Sequence, residues 1–336
     1  MRTLILLLFI LSVASTPVAV AQWTPWSVLN PYPTPNTIHS AAAPSSNHLV
    51  GVTAQGEAII TTDGGTTWNV RLISKGVYRG IKFLNDQLGW AVGGGNKRLH
   101  RTTDGGFTWT PIASTQDTTM YCVDFLDANI GWAAGFNGFI IKTTNGGNTW
   151  FSQSITPLST ATLYGLDALD EGTLYIAGNN DLFAKSTNGG TTWVTIPPIF
   201  SNATDLRAVL FTDSSTGFVA GSRSRIARTT DGGRTWTPVH RPGGTRTLNS
   251  LAFNSIHIGL AVGSSSEVLR STNGGATWDA QTLPGMTTLT FYSVRFGSDS
   301  IAYIVGSMGA LHKSTNAGAT WELPGRHELA SSFTLI

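Results

Sequence analysis

Residues 61–68 read TTDGGTTW, and the phrase returns as TTDGGFTW at 102–109, TTNGGNTW at 143–150 and STNGGTTW at 186–193. It appears again as TTDGGRTW at 229–236, STNGGATW at 271–278 and STNAGATW at 314–321. The closing tryptophans, Trp68 to Trp321, are spaced by 41, 41, 43, 43, 42 and 43 residues. A period that regular marks one supersecondary unit copied seven times, rather than the two or three domains that 336 residues would otherwise suggest. It also redirects the search for function. A residue repeated in every copy is scaffold, and a site is to be sought where the copies differ.

Residues 78–112 show what one copy builds. Tyr78 to Phe83 alternates in polarity and ends in an aromatic, as an inner strand does. A turn at Asn85–Gln87 leads into the small-residue strand Gly89–Gly93, and a Gly-rich turn leads on to Leu99–Thr102. The Asp104-Gly105-Gly106 turn reverses the chain into Thr108–Ile112. Such a four-stranded antiparallel sheet cannot bury both faces alone. Seven of them set around an axis remove the exposed end sheets that a flat stack would leave, which predicts an all-β, seven-bladed β-propeller. A linear β-solenoid fits poorly, because its coils are usually shorter.

The N-terminus MRTLILLLFILSVASTPVAVA has the form of a secretory signal: Arg2, an apolar run from Leu4 to Val13, and Ala19-Val20-Ala21 before Gln22. The apolar run is too short to span a bilayer. The expectation is therefore an exported chain, periplasmic or extracellular, with 1–21 removed and 22–336 forming a single propeller. Trp23-Thr24-Pro25-Trp26 copies the outer-strand phrase Trp109-Thr110-Pro111-Ile112, so residues 22–30 are expected to pair with the last blade and latch the ring. The single cysteine, Cys122, excludes an intramolecular disulfide and reads as an inert core thiol. A net charge of +2 gives no field that points to nucleic acid. The histidines are dispersed, so no metal site and no cofactor is expected, and the ring is expected to be monomeric.

Within each repeated phrase, Asp63, Asp104, Asn145, Asn188, Asp231, Asn273 or Asn316 is placed to accept hydrogen bonds from its own turn. Free exchange of Asp for Asn says that an acceptor oxygen matters and a charge does not. One carboxylate per turn is too few ligands for calcium. Six of the phrases follow a cation (Arg101, Lys142, Lys185, Arg228, Arg270, Lys313), with Ile60 in the first, and these side chains are expected to lay their stems on apolar surface and their charges in water.

The phrase resembles the Asp-box, or BNR, repeat, S/T-x-D-x-G-x-T-W. The longer unit from Gly131 to Trp150, GWAAG followed by KTTNGGNTW, is similar to the photosystem II stability/assembly factor family of seven-bladed propellers. The resemblance implies a non-catalytic scaffold that binds a protein partner during membrane-protein assembly, with an arginine-rich patch on the propeller.

Aligned at a common distance before each box, the inner strands place His39, Arg79, Tyr121, Tyr164, Arg207, Asn249 and Tyr292 in a ring near the upper mouth of the channel. The next position is small in each copy: Ser40, Gly80, Cys122, Gly165, Ala208, Ser250 and Ser293. Such a ring is either a ligand-facing rim or a set of watered contacts between blades. Charge supplies a second asymmetry. Between residues 207 and 246 lie seven arginines, including Arg207, Arg223, Arg225, Arg241 and Arg246, against Asp213 and Asp231. Grouped on the top face, these five either grip carboxylates or phosphates in forked geometry, or form a solvated basic surface.

Asp-box propellers also occur in sialidases and other glycoside hydrolases. A sialidase needs an arginine triad, a tyrosine nucleophile activated by glutamate and an aspartic acid. Arg79, Arg207 and Tyr164 or Tyr292 supply part of that set, but no mature-chain glutamate falls on an inner strand. Asp124 and Asp167 lie below the ring on adjacent inner strands and read as inter-blade contacts or salt bridges. A binding propeller is the favoured reading, with a sialidase-like or glucanase-like hydrolase as the alternative.

Overall fold

The computed structural model describes residues 33–94, 99–112, 118–153, 156, 158, 160–200, 204–240, 244–254, 257–283 and 288–323. The expected signal (1–21), the expected latch (22–30) and Arg241 lie outside the described residues. Each repeat folds as one antiparallel sheet whose strands lie side by side in chain order. Blade 1 runs Ile38–Ala42, Leu49–Thr53, Glu57–Thr61 and Asn69–Leu72 from the axis outward. The inner strands of blades 2 to 7 are Tyr78–Phe83, Met120–Phe125, Leu163–Ala168, Leu206–Phe211, Leu248–Phe253 and Phe291–Phe296. Each touches the next, and the first touches the last, so the seven-bladed propeller closes. Among the described residues blade 7 has three strands, and only the bridge from Lys313 to Glu322 marks its fourth.

The second strands explain why the blades stack. GWAAG and its counterparts are buried at every position, because a neighbouring blade covers each face. The opening glycine of four of them, Gly89, Gly131, Gly217 and Gly259, is a matter of room. A Cβ at Gly131 would come within 2.5 Å of the Phe125 ring across the register, and one at Gly89 within 2.6 Å of Phe83.

The boxes are hydrogen-bonded turns. In the first, the Asp63 carboxylate accepts bonds from the Thr67 amide and hydroxyl and from the Thr61 hydroxyl, and these bonds hold its carboxyl down at about 2. In the Asn boxes the amide of the same threonine still donates to the side-chain oxygen, as in Thr149 N to Asn145 Oδ1 at 2.9 Å. The threonine hydroxyl changes role, however. It donates to Asp (Thr108 to Asp104, 2.6 Å) but accepts from the Asn amide (Asn145 Nδ2 to Thr149, 2.8 Å). A rotating hydroxyl is both donor and acceptor, which is why the two residues interchange freely.

The last box departs in one respect. Ala317 occupies the position of the first box glycine at φ 55°, a left-handed conformation that is costly for a residue with a Cβ. Ala317→Gly is expected to stabilise the protein by roughly 1 kcal/mol. Thermal unfolding checks it, and an unchanged or lower melting temperature would contradict the strain.

The cations before the boxes do not simply reach water. Lys185 Nζ donates to Gly232 O (3.1 Å), Arg270 Nε to Ala317 O (2.9 Å) and Lys313 Nζ to Gly64 O (2.7 Å), in each case across to the box of the next blade. Lys142 sits 4.8 Å over the Trp132 ring. Second-strand aromatics make the same crossing: Trp90 Nε1 to Gly146 O, Trp132 Nε1 to Gly189 O and the Tyr175 hydroxyl to Gly232 O. Blade 1, with Ile60 in the cation position, uses His48 instead. Its Nε2 lies 3.1 Å from Gly105 O and its Nδ1 3.2 Å from Asp86. The expectation of solvated charges is thus corrected: the box carbonyls, turned outward by their tight turns, need donors, and the neighbouring blade supplies them.

Candidate binding site in the channel

The ring residues are placed by a defect in the ladder. In blade 2, Tyr78 pairs with Gly93 and Gly80 with Val92, so the register passes over Arg79. The same skip falls on His39, Tyr121, Tyr164, Arg207, Asn249 and Tyr292. A bulge frees one residue per strand from the in-out alternation and re-aims its side chain. All seven line one central cavity of about 500 Å³. The position expected to be small forms the wall beneath them. Cys122 lies there, its Sγ facing Ala134 O at 3.6 Å, and burial pushes its thiol up to about 12. That is an unreactive thiol, as expected.

The ring is a chain of contacts between blades. Arg79 lies 5.0 Å over Tyr121, Tyr121 meets Tyr164 edge-on at 5.5 Å, and Arg207 lies 3.9 Å over Tyr164. Across the mouth His39 and Tyr292 are edge-on at 5.1 Å, and Asn249 Nδ2 donates to Phe291 O at 2.8 Å. Burial, then the Arg79 charge, lowers His39 to about 4, so it is neutral at ordinary pH. Burial raises the Tyr164 hydroxyl against the opposing pull of Arg207, so the phenol keeps its proton. The Nε atoms of Arg79 and Arg207 are buried without a hydrogen-bond partner. The blades therefore touch through the ring, as one of its two sequence readings expects.

Three residues further along each inner strand lies a second layer: Ala42, Lys82, Asp124, Asp167, Leu210, Ala252 and Arg295, all on the wall of the same cavity. Lys82 Nζ is 2.7 Å from Asp124 Oδ1. Asp124 Oδ2 accepts from the Ala168 amide at 3.0 Å and Asp167 Oδ2 from the Phe211 amide at 2.7 Å, so each acid ties its strand to the next blade. The reading of these acids as inter-blade contacts and salt bridging holds. Asp167 is partly exposed in the lumen. Desolvation, followed by the charge of Asp124, lifts its carboxyl to about 7.

The arginine group is more neutralised than its stretch of sequence suggests. Arg207 turns into the ring and pairs with Asp205 at 3.0 Å. Arg225 opens a third strand, donates to Thr204 Oγ1 at 3.0 Å and lies 5.3 Å over Phe200. Arg246 is 3.8 Å from Glu267, which also accepts from the Ser224 hydroxyl. Arg223 is exposed in the preceding turn at φ 64°. Asp205 and Glu267 come from outside the 207–246 window. Sequence reasoning missed them because the window stopped two residues short of Asp205 and because Glu267 belongs to blade 6.

The fold and its mouth define a class: a closed, seven-bladed Asp-box propeller whose polar and aromatic cavity opens at the axis. The family model of the photosynthesis system II assembly factor YCF48 matches residues 108–202 and 243–329, more than half of the chain, and the chain belongs to that family. No curated protein matches. Among solved structures, YCF48 bound to D1 peptide superposes with a TM-score of 0.70 at 22% identity, over 85% of this chain and 95% of that one. YCF48 from Cyanidioschyzon merolae gives 0.68 at 20%, over 84% and 96%. The GH74 enzyme of Niastella koreensis gives 0.71 at 18%, but its match spans 87% of this chain and only 54% of that one. At these identities the likeness is one of fold.

Proposed function

We propose that this chain is an exported, non-catalytic propeller that captures a polypeptide partner at its upper mouth and serves the assembly of a membrane-protein complex. Membership of an assembly-factor family motivates the reading, and the Arg79–Tyr121–Tyr164–Arg207 arc carries it. Two guanidiniums bracketing two phenols offer charge-assisted donors and aromatic surface together, the side chains that dominate protein interfaces. Arg223 and Arg246, exposed on blade 5 and its link to blade 6, extend this surface as an electrostatic rim.

A glycosidase is the weaker reading. Asp124 is ion-paired, and Asp167 sits on the adjacent blade with one oxygen on a backbone amide, rather than facing Asp124 across a cleft. Tyr164, kept protonated, is not an activated nucleophile. The test has two arms. The D1 peptide seen with the structural neighbour is titrated into the purified chain beside a scrambled peptide of equal charge, and turnover of sialosides and xyloglucan is assayed. Preference for the D1 sequence is expected. Equal binding of both peptides sinks the D1-like reading, and turnover lost in Tyr164→Phe moves the chain to the hydrolases.

A further inference from the structure

The deep layer of the channel holds two charges that the fold does not pair with each other. Lys82 and Asp124 neutralise one another at 2.7 Å. Among the described residues, Asp167 forms no ion pair, and only its Oδ2 accepts a hydrogen bond. Arg295 spends Nη1 alone, on Ser250 Oγ at 3.0 Å and Val294 O at 2.7 Å. Its Nε and Nη2 have no partner, yet neither they nor Asp167 Oδ1 are sealed from solvent. That leaves one carboxylate oxygen and one guanidinium edge accessible in the layer. The two blades between them contribute Leu210 and Ala252, an apolar stretch of wall.

Lys82 acts on Asp167, and Asp124 on Arg295, only from beyond contact distance, and a ligand that brings both signs gives each charge a partner at contact. A lone cation would meet Arg79, Arg207, Lys82 and Arg295 around the same cavity, and a lone anion would leave Asp167 without a contact partner. The cavity, about 500 Å³, has the size of a small-molecule site. We propose that the deep channel binds a small zwitterion, a free α-amino acid with an apolar side chain. Its carboxylate forks onto the Nε–Nη2 edge of Arg295, its ammonium donates to Asp167 Oδ1, and its side chain lies on Leu210 and Ala252. The proposal does not rest on the polypeptide capture proposed at the upper mouth.

The test is calorimetric titration of the purified chain with L-leucine, N-acetyl-L-leucine and L-leucinamide at about pH 8, where Asp167 is ionised. Leucine is expected to bind about tenfold or more tightly than either analogue, since each analogue leaves one charge without a contact partner. Asp167→Asn keeps an acceptor for the Phe211 amide, so the blade contact survives. It is expected to erase the preference for leucine over N-acetyl-leucine while leaving the preference over leucinamide. Arg295→Met is expected to do the converse, and Arg295→Lys, which retains charge without the fork, to fall between. Melting curves confirm that each variant is folded. Absence of leucine binding to the wild-type chain at millimolar concentration, or equal binding of all three compounds, overturns the proposal.

Discussion

Trp90→Ala is expected to destabilise the protein by about 3–5 kcal/mol, lowering its melting temperature by roughly 5–15 °C. Trp90 is fully buried in the second strand of blade 2 and stacks on Phe125 of blade 3 with centroids 3.5 Å apart. Its Nε1 donates to the box carbonyl of Gly146 at 3.1 Å. Truncation opens a cavity among Val123, Phe125, Ile141 and Trp150 and strands that carbonyl between blades. Trp90→Phe is the informative control, because blade 5 uses Phe218 at the equivalent place, stacked on Phe253 at 4.4 Å. It is expected to cost about 1–2 kcal/mol, the lost hydrogen bond and some volume. Urea unfolding measures both. A loss below about 1 kcal/mol for Trp90→Ala would mean that the blades are not held together at this contact.

The second large effect falls on binding. Arg79→Ala combined with Arg207→Ala is expected to weaken peptide capture by about 100-fold, two interface arginines each being worth about 2 kcal/mol with incomplete additivity. Both guanidiniums are pre-positioned on tyrosine faces, at 5.0 Å over Tyr121 and 3.9 Å over Tyr164. Lysine, a point charge without the planar fork, is therefore expected to restore little. Arg223→Ala, at an exposed turn, should cost far less and chiefly slow association. Peptide titration against each variant decides the matter, and wild-type affinity in the double variant removes the arc from the binding surface.

Much of this was legible in the sequence because the molecule repeats. The box spacing counted the blades, and residues at a constant distance before each box proved to share one ring in space. The bulge that aims those residues was not legible. A skipped register is a relation between two strands, and the glycines beside it (Gly80, Gly165) and opposite it (Gly93, Gly178) read equally well as room for close packing. The pairing of charges escaped for a related reason. Arg246 finds Glu267 across the first hairpin of blade 6, and Lys313 finds Gly64 O across a blade boundary, neither of which proximity along the chain marks. His48 was the one available clue to the cation contacts, standing in the blade whose box lacks a preceding cation. Asp124 and Asp167 were visible on adjacent inner strands, but which of them would be left without an ion pair depended on side-chain reach.

The hydroxyl that changes role in the boxes has a bearing on chemical ageing. Asn-Gly is the dipeptide most prone to deamidation, and three boxes contain it, at Asn145, Asn188 and Asn273. Conversion to aspartate there yields the side chain that Asp63, Asp104 and Asp231 already carry, and the threonine need only turn its proton around. The reaction is also resisted at its first step. The amide nitrogen that must attack the side chain, that of Gly146, Gly189 or Gly274, is engaged with Asn129 O, Gly172 O or His257 O at 2.8–3.0 Å. The same turn thus slows deamidation at its first step and accommodates its aspartate product.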